Sequence, residues 1–291
     1  MTHNIASYQK EGFVLYKTLV PSDFCDSIIE SFENEVLPFK GKILRSTSAK
    51  MEKHRLSKSG MMTNPILQIQ DLEGTQFSQF QHRALNALGS VIIQKTIRTL
   101  LGVEPVLIQS VFYHSSMGTS THEDSHYFDS IDGRMLGCWI ALEDIDEKAG
   151  RLCVYPRTHN LCNMDDTSNE TYELFRNYQK QSLEVIRSYK NLDEGPSLVD
   201  FVDRIKTIRK IIRQLKIKPY SPALKKGDAI IFSSRLFHSS LDPDQNSEQS
   251  RASLIGHFVP NGIPIIRYQE DIEALNTYKR NGLFIQQSQS Y

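Results

Sequence analysis

Two side chains able to bind a transition metal stand two residues apart in Thr119-Ser120-Thr121-His122-Glu123-Asp124-Ser125-His126-Tyr127-Phe128. Side chains at i and i+2 of an extended chain share a face, so one strand end could present His122 and Asp124 to a single ion. Read in helical register, the same residues spell His122-Glu123-x-x-His126, the zinc-protease pattern, with two histidines one turn apart and the glutamate as base. The flanks decide against it. Ser115-Ser116-Met117-Gly118 upstream is poor in helix formers, and Asp129-Ser130-Ile131-Asp132-Gly133 downstream is a turn signal.

A third ligand is needed, and His238, just after an apolar run, is the best placed. Two histidines and one carboxylate leave open positions on an octahedral ion, as in non-haem Fe(II) oxygenases. Arg251 heads the next apolar run, where a guanidinium could grip a dicarboxylate through a two-pronged hydrogen bond. Singly, each residue has a plainer use: His238 as a packed structural histidine, Arg251 as a surface ion-pair partner, Asp124 as a turn cap. The combination favours a metal site. His114, His159 and His257 lack a carboxylate at i±2, and they and His126, which follows Asp124 by two, are assigned structural roles.

The elements that must carry these residues are mostly strands. Runs at Phe13–Tyr16, Pro105–Tyr113, Arg134–Leu142, Arg151–Tyr155, Lys226–Ser233 and Arg251–Val259 are β-branched or aromatic and separated by polar turns. That pattern suggests an antiparallel sandwich or barrel. Helical spacing places one helix after Pro21, capped by Ser22, and a single long one over Gln76–Leu101, ended by Gly102. The C-terminal thirty residues read as a peripheral helix and tail. Residues 160–218 interrupt the strands with two helically spaced stretches, Tyr172–Tyr178 and Ile205–Leu215. They read as a helical insertion over one mouth of the sheet and a candidate lid.

Lys plus Arg and Asp plus Glu both number 34 in 291 residues. No charge excess points to nucleic acid or a membrane surface. No stretch reaches the ~18 apolar residues of a membrane span. The N-terminus lacks a secretory pattern, and Cys25, Cys138, Cys153 and Cys162 form no C-x-x-C pair. A cytoplasmic protein acting on a small molecule is the expectation, with oligomeric state unknown.

The chain resembles the phytanoyl-CoA dioxygenase family of Fe(II)/2-oxoglutarate oxygenases from about Tyr8 to Pro260. The matching blocks are His122-Glu123-Asp124-Ser125-His126-Tyr127-Phe128, Cys138-Trp139-Ile140-Ala141-Leu142-Glu143-Asp144, and Ala149-Gly150-Arg151-Leu152 with Pro156-x-x-His159. The last block is Lys226-Gly227-Asp228 with His238-x-Ser240 and Arg251. The resemblance implies a mainly β double-stranded β-helix, a cupin-like jelly roll with flanking helices, as one oxygenase domain over 1–291. It implies His122, Asp124 and His238 as iron ligands, with Arg251 and Ser240 gripping 2-oxoglutarate. It also implies Trp139 and Gln109 as lining or contacting that co-substrate, and it sets Gln68 against a co-substrate lysine of some relatives. With O2, such a site hydroxylates a C–H bond and releases succinate and CO2. Because Asp124 is present, halogenation is disfavoured. The zinc protease and a non-catalytic jelly-roll binding protein remain the alternatives.

Overall fold

In the computed structural model, residues 2–163, 173, 198–244, 249–267 and 271–287 are described. Strands run β1 Phe13–Tyr16, β2 Ile43–Leu44, β3 Met51–Glu52, β4 Ile66–Leu67, β5 Pro105–Tyr113, β6 Thr119–His122, β7 Phe128–Ser130 and β8 Leu136–Ala141. They continue with β9 Leu152–Val154, β10 Ala229–Ser233, β11 His238–Ser240, β12 Ser253–Pro260, β13 Ile265–Arg267, β14 Asp271–Glu273, β15 Thr277–Arg280 and β16 Leu283–Gln286. The helices are α1 Thr2–Glu11, α2 Ser22–Ser31, α3 Ser78–Leu88, α4 Val91–Leu101 and α5 Leu198–Gln214. An eight-stranded sheet has the order β1-β10-β8-β12-β5-β16-β15, with β4 on β5. Two three-stranded sheets, β6-β11-β9 and β14-β13-β7, complete the double-stranded β-helix.

Both faces of the large sheet are covered, one by helices and one by the rest of the roll, which is why its strands read as nearly continuous apolar runs. One face packs on α2, α3 and α4, where Phe32, Phe80 and Phe112 meet with ring centroids 4.5–6.0 Å apart. Each ring so buried contributes about 2–3 kcal/mol. The other face carries Trp139, Val111, Ile255, Ile230 and Phe232 toward the interior of the roll. In β5 a register shift opposite His257/Phe258 leaves Ile108 unpaired. Such a bulge reverses which alternate residues face inward. Val106 and Ile108 face one inner cluster before it, and Val111 and Tyr113 another after it.

Three sequence expectations need correction. The long helix over Gln76–Leu101 is two helices, broken at Gly89-Ser90, where Ser90 leaves the helical conformation (φ −59°, ψ 143°) and Gly89 passes close to the Asn281 carbonyl. Ser22 is the first helical residue rather than the cap, and Pro21 precedes it in extended conformation. The C-terminal region is not a peripheral helix: β15 and β16 form a hairpin through Asn281-Gly282, both at positive φ (49° and 76°), and β16 adds to the large sheet beside β5. The Asn-Gly signal for that turn was present in the sequence. Helix α1 was not anticipated. Of the 160–218 insertion, the Ile205–Leu215 half falls largely in α5, whereas the Tyr172–Tyr178 stretch lies outside the described residues but for Glu173. Among the described residues no helix is long and apolar enough to cross a membrane.

Candidate metal and co-substrate site

Strand pairing brings the two distant histidines together. In the β6–β11 ladder, His238 stands directly opposite His122, and their ring centroids are 4.2 Å apart. Asp124 follows β6 in a short 3-10 turn, Asp124–His126. Ligand atoms of His122, Asp124 and His238 lie within 4.8 Å of one another. The Nε2 atoms of His122 and His238 approach the same carboxylate oxygen, Oδ1 of Asp124, at 3.7 and 3.6 Å. With a strand end and a 3-10 turn here, the helical zinc-protease geometry is absent. His126 is instead fully buried, with neither ring nitrogen hydrogen-bonded among the described residues.

The imidazoles are held in one tautomer. His122 Nδ1 lies 2.8 Å from the Ser120 carbonyl and His238 Nδ1 3.0 Å from the Leu236 carbonyl. A carbonyl only accepts, so each Nδ1 carries the proton and each Nε2 keeps its lone pair for a metal. Burial, reinforced by His238, pushes the His122 imidazole down to about 3, so it stays neutral. Burial works to raise the Asp124 carboxyl, but His238, His257 and His122 outweigh it and hold it below the ordinary carboxylate range. Neutral imidazoles and an ionised carboxylate are the states a ferrous ion requires.

The carboxylate's other oxygen is also engaged: His257 Nε2 donates to Asp124 Oδ2 at 3.2 Å. His257, given a structural role from sequence, is thus the residue that orients a metal-ligand candidate. The signal that could have found it is alternation. Arg251, Ser253, Ile255 and His257 fall on one face of the strand, and Ile255 pairs with Trp139 and His257 with Gln109.

A cavity of about 850 Å³ opens from this cluster, and Gln68, Gln109, Trp139, Ser240 and Arg251 all line it. Arg251 is 3% exposed. Its guanidinium donates to the Gly150 carbonyl at 3.0 Å and lies over the rings of Tyr113 (5.2 Å) and Trp139 (5.8 Å). Its Nε has no acceptor, and no carboxylate pairs with it among the described residues. Burial lowers it only to about 10, so it is charged at neutral pH. A buried, unpaired cation is costly unless a ligand supplies the anion. The donor set and this orphaned guanidinium therefore fit a metal and an anionic chelator side by side. Ser240 Oγ, 3.4 Å from Ser116 Oγ, lies in the same wall. Tyr113 was not singled out from sequence. Gln68 is buried, at φ 56°, and its Oε1 accepts from the Gln70 amide at 2.6 Å.

A double-stranded β-helix with two histidines and an aspartate converging in its mouth defines the class of non-haem iron oxygenases. The family model of phytanoyl-CoA dioxygenase matches residues 8–252, and the chain belongs to that family. It is a non-haem Fe(II)/2-oxoglutarate-dependent dioxygenase. Solved structures share its fold. The non-heme alpha-ketoglutarate-dependent epimerase SnoN of nogalamycin biosynthesis aligns with TM-score 0.57 and 14% identity over 98% of this chain and 97% of its own. EctD from S. alaskensis, solved with 2-oxoglutarate and 5-hydroxyectoine, aligns with TM-score 0.58 and 14% identity over 92% of this chain and 79% of its own. The carbocyclase SnoK gives 0.55 and 14% over 91% and 86%. Comparison with curated protein sequences gives no match.

Proposed function

We propose that His122, Asp124 and His238 hold the iron, that Arg251 with Ser240 seats the distal carboxylate of 2-oxoglutarate, and that the enzyme hydroxylates a C–H bond of a small molecule. The observation that carries this reading is the pairing of a two-imidazole, one-carboxylate cluster with a buried guanidinium that has no carboxylate partner among the described residues. Iron bound there supplies O2 activation coupled to oxidation of 2-oxoglutarate; the sum is R–H, 2-oxoglutarate and O2 giving R–OH, succinate and CO2. The protein's part is to fix the ligands through the Ser120 and Leu236 carbonyls and His257, to neutralise the co-substrate through Arg251, and to exclude water. Trp139 and Tyr113 wall the guanidinium, and Gln109 adds an amide to the cavity lining.

Helix α5 supports a lid role for the insertion. Its Ile208 and Ile211 pack on Leu161 and on Phe237, the residue before His238, and its Arg204 lies 5.8 Å from the Tyr127 ring. Among the described residues, then, the insertion touches the segments on both sides of the metal cluster.

The test is succinate release from 2-oxoglutarate with Fe(II), O2 and a pool of small-molecule substrates to supply R–H. His122→Ala and Asp124→Ala should abolish it, and turnover retained in either removes the ligand assignment. Arg251→Met should raise the 2-oxoglutarate KM by about a hundredfold or more, from the several kcal/mol lost when one member of a buried charge pair is removed. Iron content should be unchanged; equal loss of iron would make Arg251 structural.

A further inference from the structure

We propose that the enzyme's substrate is an uncharged, hydroxyl-bearing molecule considerably larger than 2-oxoglutarate, and that the side-chain carbonyl of Gln286 accepts a hydrogen bond from it. The inference rests on the iron and 2-oxoglutarate reading above. Its first support is charge. Once the metal cluster and Arg251 are committed, the charged residues left in the described cavity wall are Arg267 and Glu273. They neutralise each other: Arg267 Nε reaches both carboxylate oxygens of Glu273 at 3.0 Å. Among the described residues an anionic substrate would find no cation there without a carboxylate partner, and the several phosphates of an acyl-CoA still less. What remains is a mixed wall, with hydroxyls and amides such as Thr47, Thr63, Gln109 and Gln287 set among apolar side chains such as Ile108 and Phe128.

The second support is Gln286 itself. It is 4% exposed, lines the cavity, and its Oε1 has no donor among the described residues. On β16 the residues Leu283 and Ile285 join the helix-side core, so Phe284 and Gln286 face the other way, toward Val106 and Ile108. A buried strand face is ordinarily apolar, and an amide oxygen left there without a partner destabilises the fold. A ligand hydroxyl donating to it would satisfy that oxygen. The site would then discriminate strongly against analogues lacking the donor.

The third support is size. At about 850 Å³ the cavity falls in the upper part of the ~300–1,000 Å³ range of small-molecule sites. 2-Oxoglutarate fills a minor part of it.

The experiment uses two matched probes, para-nitrophenyl β-D-glucoside and para-nitrophenyl β-D-glucuronide, which differ in a hydroxymethyl against a carboxylate. Palmitoyl-CoA is the third arm. Each is titrated calorimetrically into the full chain loaded anaerobically with Fe(II) and 2-oxoglutarate. The glucoside should bind at least about tenfold more tightly than either charged probe. Gln286→Met should weaken it a further tenfold or so, the usual effect of removing one hydrogen-bond partner. Binding of the glucuronide or the acyl-CoA as tight as the glucoside, absence of glucoside binding, or an unchanged constant in folded Gln286→Met each overturns the proposal. The probe comparison uses the unsubstituted protein, so it stands even if the variant does not fold. Anaerobic calorimetric titration of 2-oxoglutarate into the Fe(II)-loaded protein, with no glycoside present, separates the two failures. If 2-oxoglutarate binds while the glucoside fails, only this inference falls; if 2-oxoglutarate does not bind, the iron and co-substrate reading falls with it.

Discussion

Replacing His257 with leucine should weaken iron binding without touching a metal ligand. The His257 N–H donates at 3.2 Å to Oδ2 of Asp124, and both residues are buried, at 4% and 7% exposure. The other oxygen, Oδ1, is the one facing the two imidazoles. Metal binding through Oδ1 leaves Oδ2 dependent on His257. A hydrogen bond to a charged group contributes about 1.5–3 kcal/mol, and 1.36 kcal/mol is tenfold. His257→Leu should therefore lower metal affinity by about 10- to 100-fold, the range found for partners that orient metal ligands. His257→Gln, whose amide N–H can reach a similar point, should recover most of it. The assay is anaerobic Co(II) titration followed by its visible bands, with thermal unfolding of the metal-free protein recorded alongside. Wild-type affinity in a folded His257→Leu protein would refute the reasoning. If His257→Gln were as weak as His257→Leu, ring packing rather than the N–H would be the cause.

Two further outcomes follow from groups away from the metal. Burial pushes the Asp129 carboxyl up from 3.8 to about 6, against its hydrogen bonds from the Ser234 hydroxyl and the Met135 and Ser130 amides. The folded state then binds more protons than the unfolded one between those two values, so this group's contribution to stability falls as pH rises across that window. Asp129→Asn should remove a pH dependence of about 2–3 kcal/mol between pH 4 and 7, read from urea unfolding; an unchanged slope would assign it elsewhere. Gly89→Ala forces a methyl against the Asn281 carbonyl between α3 and α4. It should cost about 1–3 kcal/mol in denaturant unfolding and leave metal affinity unchanged. A neutral result would mean that the β15–β16 turn yields easily.

What the sequence shows plainly is chemistry that depends on residue type and short spacing. His122 and Asp124 are two apart, and flanks poor in helix formers upstream and turn-rich downstream already argue against a helix there. His238 and Arg251 follow because each borders an apolar run, and runs of that kind become strands of the roll. The sequence hides whatever depends on register. His257 looks like an ordinary strand histidine until the β12 ladder sets it beside Gln109 and aims it at Asp124. Along β5, alternation alone misassigns the inward residues, because the bulge at Ile108 flips the pattern midway: Val106 and Ile108 point inward before it, Val111 and Tyr113 after it. A period-two reading that starts at Val111 and runs back therefore puts Val106 outside, and one that starts at Val106 loses Tyr113, the ring under the Arg251 guanidinium. Gln286 is hidden for a related reason. Its role depends on β16 lying parallel to β5, a pairing between residues nearly two hundred positions apart that no local pattern specifies. The residues proposed to bind iron and 2-oxoglutarate announce themselves by type, whereas the one proposed to read the substrate acquires its meaning only from the sheet. Substrate preference in such a scaffold can thus change by altering which strand completes the roll, while the metal cluster stays as it is.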